Sequence, residues 1–233
     1  MKNLNKHRTV NATESPDSTS SRSVPEIVRD VRLKISSQEI LPGSRIPEAE
    51  LAENYGITRA KAREVLAALE DRGLIEREPN KGAVVTPVDM ETTYQLYEAR
   101  EALDSLIVRL AMQNAKASDW KKLDELLGPP FEESLHQGDI AAHVDTIGQF
   151  RDTLKELAAN PILNDLIERI YDKTRVTMRR VAVLPGRAEM GIRQYRSLLA
   201  AMKSGDEALA DQCVRELNQS AREYIQRYKN YVL

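Results

Sequence analysis

Cysteine is almost missing from this 233-residue chain: Cys213 stands alone, so no intramolecular disulfide can form and a buried thiol on a helix is expected. A chain without disulfides suits a reducing cytoplasm, which is the expected location. No run approaches the roughly 18 apolar residues of a membrane span, and the amino terminus lacks the apolar stretch of a signal peptide, so no membrane partner is expected. A strong charge of one sign is also missing. Lys and Arg number 34 against 36 Asp and Glu, a net charge of −2, which argues against indiscriminate coating of nucleic acid. A local basic patch on a near-neutral chain instead predicts selective binding after dimerisation. There is no phosphate-cradling glycine loop, no Cys/His cluster and no nucleophile with an evident base, so the chain does not read as an enzyme. The adjacent Glu132 and Glu133 read as a solvated helix face.

What is present is concentrated between Pro47 and Pro87. In PEAELAENY the apolar Ala49, Leu51, Ala52 and Tyr55 fall at helical spacing, and Gly56 supplies the positive φ that ends a helix. Thr58 can cap a second helix, in which Ala62, Val65, Leu66 and Leu69 form the buried stripe. Arg59, Lys61 and Arg63 then crowd the amino end of that helix on its other faces. Cations there oppose the helix dipole, each at a cost of up to about 0.5 kcal/mol. Their placement makes sense if the partner is a polyanion, since backbone N–H groups, dipole and side chains would all face phosphates and base edges. Two short β-prone runs, LIER and AVVT, flank a PNKG turn in which Gly82 permits the bend that presents Lys81 at a wing tip. Helix, turn, helix and hairpin in this order are the plan of a winged helix-turn-helix.

The stretch PGSRIPEAELAENYGITRAKAREVLAALEDRGLIEREPNKGAVV resembles the DNA-binding domain of GntR-type bacterial transcription regulators, in wording close to the FCD (FadR C-terminal domain) branch. The turn glycine, the Thr58-Arg59 pair, the Arg63-Glu64 pair and the closing Gly-Leu and Lys-Gly carry it. The resemblance gives Arg59 and Arg63 a base- and phosphate-reading role, and Lys81 and Gly82 an approach to the minor groove. Lys61 stands where relatives commonly have proline, so its role rests on charge and position alone. Ala49 replaces an arginine of some relatives, and no contact is expected there.

Residues 1–23 are rich in Ser, Thr, Asn and charge and predict a disordered arm, either a solvated tail or one that brushes DNA. Order is expected from Val24, with an apolar stripe of Val24, Ile27, Val31 and Leu33. The winged domain is placed at 24–88 and a second domain at 89–233, almost all helix in five or six long amphipathic segments and without an internal repeat. Ser118 is expected to cap one helix, Gly128-Pro129-Pro130 to break the chain, and Asp139 and Asn160-Pro161 to open the next two. Leu184-Pro185-Gly186 and Gly205-Asp206 mark the remaining boundaries. The expected fold is therefore mainly α, a winged helix-turn-helix followed by an all-α bundle for effector binding and dimerisation.

Over roughly residues 90 to 228 the chain also resembles the FCD effector domain, through YEAREALD, FRDTLKELAANPIL and YRSLLAAMKSGDEALA. Many members hold a divalent metal there through an Asp, a His one helical turn later and two further His. The corresponding positions here are Ile147, Arg151, Tyr195 and Leu217. Isoleucine and leucine cannot coordinate and arginine stays cationic, so loss of the family's metal site is expected and no cofactor is implied. Arg151 puts a fixed charge where the metal helped hold an effector carboxylate, and it can bind that carboxylate directly through two hydrogen bonds. The alternative is a degenerate pocket in which Arg151 reaches solvent or a neighbouring acid. Tyr195 and Arg100 are its candidate partners, Arg100 standing four residues before Asp104 in the order of a family pair or of an ordinary surface salt bridge. Arg175, Arg179 and His143 complete the candidate effector set, and RVTMRR leaves open which of its cations turn inward. His136, Asp139 and His143 could rebuild a metal site only with a carboxylate from another helix, and a pocket-lining or surface histidine is the default. The resemblance thus implies a homodimeric, ligand-responsive regulator, a repressor of a catabolic or transport operon, bound to double-stranded operator DNA and released by a small carboxylate. Its rivals are a constitutive DNA-binding dimer whose bundle only dimerises, and an adaptor that no longer binds DNA, which Arg59, Arg63 and Lys81 disfavour.

Overall fold

The computed structural model describes residues 22–78, 82–87 and 89–232. The expected arm lies outside the described residues as far as residue 21, and the Lys81 wing tip lies outside them too. Helix α1 (Val24–Ser36) opens on a capping box: Ser23 Oγ accepts from the Glu26 N–H while the Glu26 carboxylate accepts from the Ser23 N–H. Its buried stripe is Ile27, Val28, Val31 and Ile35. Leu33, expected in that stripe, is exposed because it falls on the opposite side of the helix. Helix α2 (Glu48–Tyr55) ends at Gly56 with φ of 61°, a left-handed cap that admits the tight turn into α3 (Arg59–Asp71). Ala49 is exposed, so α2 packs on Leu51 and Ala52 alone, with Tyr55 and Ile57 at the margin.

Strands β1 (Ile75–Glu78) and β2 (Gly82–Val85) pair antiparallel, Ile75 opposite Val85 and Glu78 opposite Gly82. Each begins within a residue of the runs read from sequence. A third piece of backbone joins them: Arg45 bridges Val84, and Ile46 N–H donates to Ala83 O at 2.9 Å. Val84 and Val85 therefore lie inside a wing whose core is continuous with α1, α2 and α3.

The second domain has five long helices, α4 (Met90–Asn114), α7 (Ile140–Ala158), α8 (Pro161–Ala182), α9 (Arg187–Ser204) and α10 (Glu207–Arg227). Three short ones accompany them, α5 (Ala117–Leu126), α6 (Pro129–His136) and α11 (Lys229–Val232). Asp89, Asp139, Asn160 and Asp206 each cap a helix through a side-chain oxygen. Ser118 does not: α5 starts at Ala117 after Lys116, and the Asp119 carboxylate accepts the Lys116 N–H from inside the first turn. The main core runs through α4, α7, α8, α9 and α10 and includes Ile107, Phe150, Leu154, Ile167, Leu198 and Val214. Cys213 is buried and reduced on α10.

One helix faces both domains. Asp172 on α8 is buried and accepts from Arg32 of α1 at 2.9 and 2.5 Å and from Arg72, after α3, at 3.2 Å. Glu168, one turn earlier, accepts from Arg32 at 2.8 Å and pairs with Lys155 of α7. Arg169 reaches Asp71.

Candidate functional site

The first candidate surface is the amino end of α3. Thr58 Oγ1 accepts the Lys61 N–H at 3.2 Å and fixes the start of the helix. No acid stands in its first turn, so the dipole there is uncompensated and free for an anion. Arg59 and Arg63 are exposed and Lys61 is half-buried. Arg63 is steered by Glu48 of α2 at 3.4 Å, whereas Arg59 has no ion-pair partner among the described residues. Gly82 begins β2 with φ of 77°, the left-handed conformation that favours glycine. Arg45, exposed on the segment that bridges β2, adds a cation beside the wing. Sequence reading missed it because the pairing of that segment is tertiary.

The second site is a cavity enclosed by α4, α7, α8, α9 and α10. Arg151 on α7 donates from Nη2 to Tyr195 Oη at 2.6 Å and from Nη1 to Met178 Sδ at 2.8 Å. Both acceptors are neutral, and thioether sulfur is a weak one. Its guanidinium also lies 5.2 Å from the Tyr171 ring centre and 5.8 Å from that of Tyr195. Arg100 on α4 is 5% exposed and donates from Nε to Asp104 at 3.1 Å. A surface salt bridge is thereby excluded. Burial works against the Arg100 charge, but Asp104 together with the surrounding Tyr97, Tyr171 and Tyr195 outweighs it and holds the guanidinium above its ordinary range. Asp104 also accepts from Tyr171 Oη at 2.5 Å. Burial first, and then Asp104, push the Tyr171 phenol well above its ordinary value.

His143 on α7 is 1% exposed and stacks on Phe131 of α6 with ring centres 4.6 Å apart. Its Nδ1 has no hydrogen-bond partner. Burial, assisted by the nearby Arg187, pushes its pKa below the usual 6.5, so the imidazole is neutral at pH 7.

Arg187, which sequence reading missed, is the first residue of α9 and lines the same cavity. Its Nη1 meets Gln194 Oε1 at 3.4 Å and its Nε is buried without a partner. Burial and the field of Arg151 both press its pKa down. Gly191, one turn on, leaves the space: a Cβ there would lie 3.3 Å from Arg187 Nη1. A cation at the amino end of a helix, with glycine four residues later, was the available signal.

Arg175 and Arg179 do not join this cavity. They turn toward an outer cleft between α7 and α8, where Arg175 pairs with Glu168 at 3.5 Å and Arg179 with Asp145 at 3.8 Å. Arg151, Tyr171 and Met178 line this cleft as well as the inner space, whereas the two arginines line the cleft alone.

Residues 24–85 match the family described as bacterial regulatory proteins, gntR family, and residues 95–220 match the FCD domain. The chain belongs to the GntR family, in its FCD branch. It is a DNA-binding transcriptional regulator and not an enzyme. Among relatives, the HTH-type transcriptional regulator YdhC of Bacillus subtilis, itself described as uncharacterized, is 27% identical over 176 residues, 74% of this chain and 77% of that one. The HTH-type transcriptional regulator McbR of Escherichia coli is 25% identical over 196 residues, 83% and 88% of the two chains. The solved structure of E. coli McbR/YncC shares the fold with a TM-score of 0.76 at 24% identity, covering 88% of this chain and 98% of that one.

Against this GntR/FCD frame, the four positions where many members carry metal ligands, Ile147, Arg151, Tyr195 and Leu217, all line the one cavity. The donor set does not fit a divalent cation. Two side chains have no donor atom, one is a cation, and the fourth is a phenol engaged by Arg151. His143 is close by but brings no carboxylate with it, and His136 is exposed on α6. Among the described residues no group of three His, Cys, Asp or Glu could hold a metal ion. No described helix is long and apolar enough to cross a membrane.

Proposed function

We propose that this regulator is a homodimer that represses a catabolic or transport operon and leaves its operator when a small anion, a carboxylate, enters the helical domain without a metal ion. One observation carries the reading: the half-buried Arg151 guanidinium holds only the neutral Tyr195 hydroxyl and Met178 sulfur. A charge partly withdrawn from water carries a cost unless it is paired. A ligand carboxylate supplies both the charge and two acceptors in the plane of the guanidinium fork.

The route to DNA runs along α8. Its inward face carries Tyr171 and Met178 against Arg151, and its other side carries Asp172 and Glu168 against Arg32 and Arg72 of the winged domain. An anion that draws Arg151 away from Met178 alters the packing of the same helix that holds the winged domain. Dimerisation follows from scale: a single reading module buries about 600–1,000 Å² on DNA, and paired half-sites supply operator specificity.

The test is fluorescence anisotropy on duplexes selected from a random library, with and without a panel of organic acids. Release of the wild type by one acid, and no release of Arg151→Met by the same acid, is the expected result. Operator binding that no acid changes would favour the constitutive dimer.

A further inference from the structure

We infer that the cavity is built for a compact dianion, with one negative charge on Arg151 and the second on Arg187. This rests on the anion reading of the same cavity and goes beyond it in the number of charges and in the residue that takes the second.

The charge census of the cavity is the argument. Three guanidinium groups line it, those of Arg100, Arg151 and Arg187. Arg100 is neutralised by Asp104, whose other oxygen is occupied by Tyr171. Neither Arg151 nor Arg187 has a carboxylate partner among the described residues. Arg187 lies over the ring of Tyr224 at 5.8 Å, and its remaining contact is a long hydrogen bond to Gln194. The two uncompensated charges also repel each other across the cavity. Such an arrangement is unfavourable in the empty protein, and a monoanion relieves only one of the two. A dianion relieves both, and each guanidinium offers parallel N–H donors to it. His143 adds an unpartnered nitrogen in the same wall.

Size restricts the class further. The cavity beside Arg187 has a volume of about 40 Å³, and the adjoining space past Arg100 and Tyr195 about 30 Å³. A short dicarboxylate or a small phosphoryl group suits this space, and a long acyl chain does not.

Titration calorimetry on the full chain at constant ionic strength tests the inference with malonate, succinate, inorganic phosphate and sulfate as dianionic probes. Propionate and butyrate serve as monoanions of matched length. At least one dianion should bind about tenfold or more tighter than its matched monoanion, and the dicarboxylate and phosphate arms tell the two sources apart. Arg187→Gln should weaken dianion binding by much more than monoanion binding and so remove this preference, and Arg187→Lys should fall between. Thermal melting of both variants without ligand should match or exceed the wild type, because one of two repelling cations is gone or loosened. A monoanion that binds as well as any dianion, through Arg151 alone, overturns the two-charge inference and leaves the single-anion reading standing. So does a dianion preference that survives Arg187→Gln. No binding by any probe, or binding that Arg151→Met does not weaken, overturns both.

Discussion

Arg59 and Arg63 share a surface but not a situation. Arg63 leans on Glu48 at 3.4 Å, while Arg59 has no ion pair among the described residues. On a selected operator either Arg→Ala change should cost about 1–3 kcal/mol if the side chain reads a guanine edge. Arg59→Ala should also reduce the slope of log affinity against log salt, and anisotropy titrations across salt concentrations separate base reading from phosphate contact. Inside the bundle, Gly191 is the informative small residue. Gly191→Ala should raise thermal stability by up to about 1 kcal/mol through helix propensity. It should weaken anion binding, because the new methyl would press on Arg187 Nη1 from 3.3 Å. Unchanged anion affinity would show that this gap does not position the guanidinium.

At the scale of elements, α3 and α8 stand at the two ends of the proposed coupling. The α3 start is held by Thr58, and Thr58→Ala should cost about 1 kcal/mol of stability by removing its cap, read from urea unfolding. The α8 helix is decided by its two sides, and Asp172 is where the domains meet, buried between Arg32 and Arg72. Asp172→Asn removes charge-assisted hydrogen bonds worth about 1.5–3 kcal/mol each and leaves Arg32 only Glu168. The expected signature is a calorimetric scan that splits into two transitions as the domains uncouple. A single transition, shifted or not, would show that the ion pairs do not join them. The capping Asp and Asn residues and the Pro and Gly breaks of the bundle were legible in the chain, because caps and breaks are local chemistry. The Arg32–Asp172 contact was not, since its partners stand 140 residues apart.

Across the whole molecule, pH acts through groups with depressed pKa values, His143 in the upper range and the carboxylates of Glu26, Asp30, Asp89 and Glu168 in the lower. His143 is kept neutral by burial, so as pH falls past 6.5 the unfolded chain takes up a proton that the folded chain refuses, and stability declines. Its contribution is complete above that value and is lost below it. Glu168 is pushed up by burial, but Lys155, Arg175 and Arg32 together outweigh this and hold it below the usual 4.5, so its contribution survives until the pH falls below that range. Melting temperature should therefore fall in two stages on acidification. His143→Phe, which preserves the stack on Phe131, should abolish the upper stage and leave the lower one. An upper stage that persists in this variant would assign it to another group.

The chain by itself determined the order and kind of its elements, because caps, breakers and apolar periodicity act within a few residues of each other. It also determined the basic start of α3, and the presence of Arg151 and Tyr195 where relatives carry metal ligands. What it could not determine was which cations are compensated. Arg100, Arg175 and Arg179 find carboxylates on their own helix or a neighbouring one, while Arg151 and Arg187 do not. That difference depends on which side chains meet when α4, α7, α8, α9 and α10 close around the cavity. Only the tertiary structure decides it, because the cost of a buried charge is set by the neighbours that packing brings to it.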